Sequence, residues 1–197
     1  LAPLTTYRGG GPAEFFARPR NTESLGELLQ RAAGEDMDLR LLGHGTNLLV
    51  SDEGVRGLVL RLSKESFGQL RREGNRLHVG AGHSLPGLVK WSTLQGLTGL
   101  ECLQGVPGTV GAALRMNAGG KNGEICSSVR RVCGFERDGT PFDYSPEQCG
   151  FVYRNSQMGG KIITECELEL REGDAVQSRL MMSEILKEKC RTQPVYA

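Results

Sequence analysis

Apolar residues recur along this 197-residue chain at two different periods, and the two periods separate helices from strands. Leu25, Leu28, Leu29 and Ala32 fall at i, i+3, i+4 and i+7, one face of a helix that Asn21 or Thr22 can cap and Gly34 can stop. Leu39 to Leu42 reads as a short strand that runs into Gly43-His44-Gly45-Thr46-Asn47. Leu48, Leu49 and Val50 read as a buried strand, Ser51 to Gly54 as a turn, and Gly57 to Leu62 as a further apolar strand. Residues 1–63 thus form a small βα unit, and the polar stretch Ser63 to Asn75 marks the boundary with a second unit over 64–197.

In the second unit, Leu77, Val79 and Ala81 alternate with polar or small neighbours, as in a half-buried strand. Ser84 and Pro86 open a helix that Gly96 ends. Val129 to Arg137 and Thr140 to Tyr144 flank Asp138-Gly139, a hairpin signal, and Ser145 to Gln148 starts a short helix with a capping box. Ile162, Thr164, Cys166, Leu168 and Leu170 take one face of a strand, with Ile163, Glu165, Glu167 and Glu169 on the other. Ala175 to Arg191 reads as a helix with Val176, Leu180 and Ile185 inward. Strands and helices mix without regular βαβ alternation, so the expected class is α+β.

Charge narrows the partners. Lys plus Arg number 24 and Asp plus Glu number 23, a net charge of +1. That balance predicts neither a nucleic acid nor a membrane surface as partner, so an anionic ligand must be held by local groups. No apolar run approaches the length needed to cross a bilayer, and the start shows no basic-then-apolar leader. Cys102, Cys126, Cys133, Cys149, Cys166 and Cys190 form no C-x-x-C pair and are not grouped with the histidines. They read as reduced, mostly buried thiols of a cytoplasmic protein with no metal site. His44, His78 and His83 are not expected to be catalytic, and Met181, Met182 and Trp91 read as packing.

The 28 glycines matter through where they cluster. In Gly43-His44-Gly45-Thr46-Asn47, two glycines let successive N–H groups point into one concavity, a nest for phosphate oxygens, although an ordinary hairpin turn is the other reading. Gly105-Val106-Pro107-Gly108-Thr109-Val110-Gly111-Ala112-Ala113 ends in a helix start bare of side chains, a natural anion site. It continues into Arg115-Met116-Asn117-Ala118-Gly119-Gly120. Two such nests suit a ligand with a pyrophosphate and an extended body. Tyr153-Arg154-Asn155-Ser156 offers a planar cation for a carboxylate or developing enolate, or else an exposed strand end.

These residues carry a resemblance. TTYRGGGPA (Thr5–Ala13), LGHGTNLLVSDEG (Leu42–Gly54), VGAG (Val79–Gly82), GLTGLECLQGVPGTVGAALRMNAG (Gly96–Gly119), YRNS (Tyr153–Ser156) and Arg191 to Pro194 stand in the order found in the UDP-N-acetylenolpyruvoylglucosamine reductases, which the chain resembles. The resemblance implies the two-subdomain FAD-binding fold of the vanillyl-alcohol oxidase type, and a flavoenzyme that uses NADPH to reduce a UDP-sugar enolpyruvyl substrate for peptidoglycan. It implies FAD contacts from Leu42, Gly43, His44, Gly45, Thr46, Asn47, Leu48, Gly82, Gly105, Val106, Pro107, Gly108, Thr109, Gly111, Ala112, Asn117, Ala118, Gly119 and Ile163. Tyr153 and Arg154 would meet substrate, with Arg154 as the catalytic cation, in an enzyme expected to be monomeric. Gly120-Lys121-Asn122 stands where the family often has Ala-Tyr-Gly, which removes a tyrosine. The family's third, substrate-binding domain would follow Pro194 and is absent from these residues. Two other readings remain open at this point: another flavin oxidoreductase of the same fold, or a non-catalytic FAD-binding module.

Overall fold

The computed structural model describes residues 1–192. Its first sheet is built from β1 (Ala13–Ala17), β2 (Leu39–Leu41) and β3 (Val55–Leu60), in the order β1-β3-β2 and parallel throughout. Helix α1 (Thr22–Gly34) crosses between β1 and β2, and its start carries a capping box in which the Asn21 side chain accepts from Ser24 N. Leu25, Leu29 and Ala32 pack against Leu39, Leu58, Leu60 and Phe67. Gly34 does not stop this helix; it is its last residue, and the left-handed turn falls on Asp36 at φ 48°.

In this unit one strand is unforeseen and one expected strand is not formed. β1 has no alternating pattern, because Phe15 and Phe16 are both substantially exposed on an edge strand. Its pairing with β3 is parallel and remote in sequence, so no local signal announces it. Conversely, Leu48 to Val50 forms no strand: Leu49 is 85% exposed, and the run belongs to the long loop joining β2 to β3.

The second sheet has the order β10-β9-β11-β5-β4. The polar stretch after Leu62 is folded into α2 (Lys64–Phe67), capped by Ser63, and the edge strand β4 (Leu70–Glu73), antiparallel to β5 (Arg76–Gly80). Then come α3 (Leu85–Leu94), capped by Ser84, the short β6 (Leu97–Thr98), α4 (Val110–Arg115) and the two-residue strands β7 (Gly119–Gly120) and β8 (Gly123–Glu124). The hairpin pairs β9 (Val129–Phe135) with β10 (Pro141–Tyr144) across Asp138-Gly139, and α5 (Pro146–Cys149) carries the expected capping box. β11 (Ile162–Glu169), β12 (Arg171–Glu172) and α6 (Ala175–Thr192) complete the described chain.

β11 does not keep a single alternation. Its register to β9 shifts between Ile163 and Glu165, a bulge at Thr164 that reverses which residues face which side. Ile163 therefore joins Cys166, Leu168 and Leu170 in the core of the second sheet, whereas Ile162 packs with α1 in the first core. Helix α6 is also rotated from expectation. Ile185 is buried as expected, but Val176 and Leu180 are more than half exposed and Ser178 is buried instead. The phase is set by a polar contact, Ser178 Oγ to the buried Glu101 Oε1 at 2.5 Å. The thiols are all unpaired, but only Cys149 and Cys166 are buried, and Cys190 is exposed.

No helix among the described residues is long and apolar enough to cross a membrane. Nor do they contain a cluster of three His, Cys, Asp or Glu side chains able to hold a metal.

Candidate functional site

A cavity of about 1070 Å³ opens where the two sheets meet. The loop from Leu42 to Gly54 forms one wall, and Val106 to Ala113 forms the wall opposite. The two segments touch. A Cβ placed on Gly43 would lie 3.3 Å from Thr109 Oγ1, and one on Gly108 would lie 3.7 Å from Thr46 Oγ1.

The first wall is held from behind by the N-terminal arm. Thr6 N donates to Gly45 O at 3.0 Å and Gly11 N to Ser51 O at 2.8 Å. Gly45, at φ 66°, packs so tightly that a Cβ there would sit 2.1 Å from Leu4 O. Among the described residues, none of the backbone N–H groups of Gly43 to Asn47 donates to a protein acceptor. The loop therefore lines the cavity with a run of donors that no protein acceptor uses, and such runs bind phosphate oxygens when they converge.

The second wall differs. Thr109 caps α4 by accepting from Ala112 N at 3.3 Å, Gly111 N donates to Ala81 O at 2.9 Å, and Val110 N donates to His83 O at 3.0 Å. The first N–H groups of this six-residue helix are thus satisfied internally, and the expected helix-start anion site is not available. What this segment supplies is close, bare surface, with the N–H groups of Gly108 and Thr109 ahead of the helix bonded to no acceptor among the described residues.

Charge supplies what the whole-chain balance does not. Arg40, Arg56, Arg115, Arg137, Arg154 and Lys161 line the cavity, against Asp38 as the one acidic residue among the described residues that line it. Only Arg154 of these was singled out from sequence. The others come from β2, β3, α4 and two loops, with no shared local motif. Arg137 is oriented by donating to Leu39 O at 3.1 Å, and Lys161 is paired with Glu136. His44, half-buried in the donor loop, has its pKa lowered by burial and then by the charge of Arg61, so its imidazole is neutral at pH 7.

Of the expected contacts, Leu42, Gly43, His44, Gly45, Thr46, Asn47, Leu48, Val106, Pro107, Gly108, Thr109, Gly111, Ala112, Ala118, Ile163 and Arg154 all line this cavity. Five others lie off its wall. Gly82 is packed beneath α2, where a Cβ would meet Ser63 O at 2.7 Å. Gly105 faces Lys189 and Leu186 of α6, and Gly119 sits inside the β7–β8 hairpin. Asn117 is buried, and both N–H donors of its amide are already used by Glu124 and Val152, so its side chain has no donor left for a ligand. Tyr153 is 76% exposed beside the guanidinium of Arg154. Arg154 itself sits at φ 56°, a left-handed conformation that costs a non-glycine residue about 1–2 kcal/mol and is kept by the surrounding turn. His78 pairs loosely with Glu73, and His83 Nδ1 lies 2.8 Å from Gly68 O, so neither reaches the cavity.

Ligands of drug size occupy cavities of about 300–1,000 Å³, so this volume suits a molecule at the large end of that range. A volume of this kind with unspent donors on one wall and surplus positive charge fits an elongated, anionic dinucleotide.

Known proteins point the same way. A family profile described as an FAD binding domain matches residues 13–142. The chain is 41% identical over 196 residues to a UDP-N-acetylenolpyruvoylglucosamine reductase of Anaeromyxobacter, a match covering 99% of this chain and 61% of that relative. It superposes on the crystal structure of a UDP-N-acetylenolpyruvylglucosamine reductase from Thermus caldophilus with a TM-score of 0.85 at 39% identity, covering 98% of this chain and 68% of that one. It also resembles 6-hydroxy-D-nicotine oxidase from Arthrobacter nicotinovorans in fold, with a TM-score of 0.66 at 19% identity over 84% of this chain and 38% of that one. The chain spans about three fifths of the length of the curated relatives it matches.

Proposed function

Because the chain belongs to the FAD-binding-domain family, with UDP-N-acetylenolpyruvoylglucosamine reductases as relatives near 40% identity, we propose that it is the FAD-holding part of such a reductase. It acts in the cytoplasm, takes electrons from NADPH and forms UDP-N-acetylmuramate for peptidoglycan. FAD would supply the redox chemistry, accepting two electrons from the nicotinamide and delivering them to the enolpyruvyl double bond of the UDP-sugar. The full reaction is assigned to the whole protein, since the chain spans 61% of its Anaeromyxobacter relative.

The observation that carries this reading is the run of unspent N–H groups over Gly43 to Asn47, residues that line a cavity of about 1070 Å³ together with six cationic residues. Those N–H groups would hold the pyrophosphate oxygens. Val106 to Ala112 would offer its side-chain-poor surface to the rest of the dinucleotide. Ile163, brought round by the bulge in β11, closes the apolar floor.

Arg154 stands beside the substrate carboxylate. As a hydride reaches the enolpyruvyl C3, negative charge builds at C2 and spreads to that carboxylate, a fixed guanidinium stabilises the charge as it forms, and a proton taken up at C2 in the whole protein completes the reduction. Tyr153, exposed at the same turn, would meet the substrate from outside the cavity wall. The reading is tested on the full-length protein. Its visible spectrum should be that of oxidised flavin, and NADPH should bleach it. Arg154→Lys should leave bleaching unchanged and slow the return of colour on adding substrate by about 100-fold, the scale of losing one preorganised transition-state contact. A colourless protein that ignores added FAD would overturn the assignment. Equal slowing of both phases would remove Arg154 from its role.

A further inference from the structure

Arg154 is the tip of a tight turn in which Val152 and Asn155 exchange backbone hydrogen bonds of 3.0 and 3.1 Å. Something must fix that turn at the cavity, because its residues 152–155 are exposed. Two side-chain hydrogen bonds do so. Ser156 Oγ donates to Arg115 O at the end of α4, at 2.8 Å. On the other side, Asn117 Nδ2 donates to Val152 O at 3.0 Å.

Asn117 is suited to this task in every respect that can be read from its surroundings. It is 1% exposed and adopts φ 42°, a conformation asparagine tolerates better than most residues. Its second N–H goes to Glu124 Oε2 at 2.8 Å, and its Oδ1 accepts from Cys126 N at 3.3 Å. One buried amide thus ties the end of α4, the β8 segment and the Arg154 turn into a single unit. Removing it leaves Val152 O with only the Asn155 N–H inside its own turn, and Glu124 Oε2 with only the weak Cys126 thiol.

We infer that Asn117 is a positioning residue, holding the Val152–Asn155 turn so that Arg154 reaches the cavity. The inference rests on Arg154 acting beside the substrate carboxylate, as proposed above. It assigns Asn117 a part in the substrate step and none in holding flavin.

The test uses Asn117→Gly in the full-length protein, since glycine removes the amide while accepting the left-handed backbone. In flavin-free protein, hydrogen exchange at the Val152 and Asn155 amides should accelerate about tenfold, with amides of the β9–β10 hairpin unchanged. In the flavin-loaded protein, bleaching by NADPH should be unaffected and the substrate-driven return of colour slowed about tenfold. Combined with Arg154→Lys, the added slowing should shrink to about twofold or less, because both changes act on one group. If Asn117→Gly folds poorly, Ser156→Ala cuts the other tether and should give the same split. Unaltered exchange at the turn, or slowing that adds fully to that of Arg154→Lys, would overturn the inference. Should Arg154→Lys by itself leave the substrate step intact, the role of Arg154 falls, while the exchange measurement still judges the tether on its own.

Discussion

Gly43 to Asn47 and Gly105 to Ala112 face each other at van der Waals distance, yet their backbone donors have different destinations. In the first segment the N–H groups are left free, and the glycines allow the loop to press back against the N-terminal arm. In the second, the N–H groups of Val110, Gly111 and Ala112 are spent on His83, Ala81 and Thr109, and the glycines allow α4 to lie against the end of β5. Among the described residues the loop thus keeps every N–H from Gly43 to Asn47 for an outside partner, whereas the second segment keeps only those of Gly105, Gly108 and Thr109 and spends the first turn of α4 on the core. Glycine content is shared by both and distinguishes neither.

The sharpest way to break this comparison is to add one methyl group to each segment. Gly45→Ala places a Cβ 2.1 Å from Leu4 O in a left-handed residue. The strain, about 1–3 kcal/mol, falls on the donor loop, so FAD affinity should drop by about tenfold to a hundredfold in a fluorescence titration. Gly111→Ala places a Cβ 2.9 Å from Ala81 Cβ. It should cost about 1–3 kcal/mol of packing, seen as a thermal midpoint lower by about 2–4 °C per kcal/mol in the flavin-free protein, with a smaller loss of FAD affinity than Gly45→Ala. If Gly111→Ala weakened FAD binding more than Gly45→Ala did, the division of labour between the two segments would be lost.

A weaker effect sharpens the same contrast through pH. His44 belongs to the donor loop, and its pKa lies below the ordinary 6.5 because of burial and then Arg61. Between that lowered value and 6.5 the unfolded chain binds more protons than the folded one, so stability rises with pH across the window and is lost as pH falls through it. Urea midpoints of the flavin-free protein at pH 5.5 and pH 8 should show this loss, and His44→Asn should reduce it. Bound pyrophosphate would oppose both causes, so FAD should shrink the acid loss as well. An acid loss identical in wild type and His44→Asn would remove His44 from the effect.

Much of the architecture was legible where the signals are local. The helical face of α1, the Ser84 cap of α3, the hairpin at Asp138-Gly139 and the capping box of α5 each depend on residues within a few positions of one another. Both walls of the cavity were legible too, as glycine-rich runs between regular elements. What escaped depends on distant partners. β1 is defined by pairing with β3, and the phase of α6 by Ser178 meeting Glu101. The bulge in β11, visible only in its register with β9, moves Ile163 from the polar face to the cavity. The apolar Leu48-Leu49-Val50 run looked like core and instead edges the cavity, because hydrophobicity alone does not say which apolar surface a fold will cover.

By itself, then, the order of amino acids determined which short segments could curl, cap and turn, and which could bring backbone close to a ligand. Tertiary structure alone decided which of those segments kept its N–H groups for an outside partner. It also gathered Arg40, Arg56, Arg115, Arg137 and Lys161 round one cavity in a chain whose net charge is only +1. The physical reason is that a backbone donor is consumed by whichever acceptor the fold brings within about 3 Å, and a local field is set by which charges converge. Both are properties of distances between residues far apart along the chain.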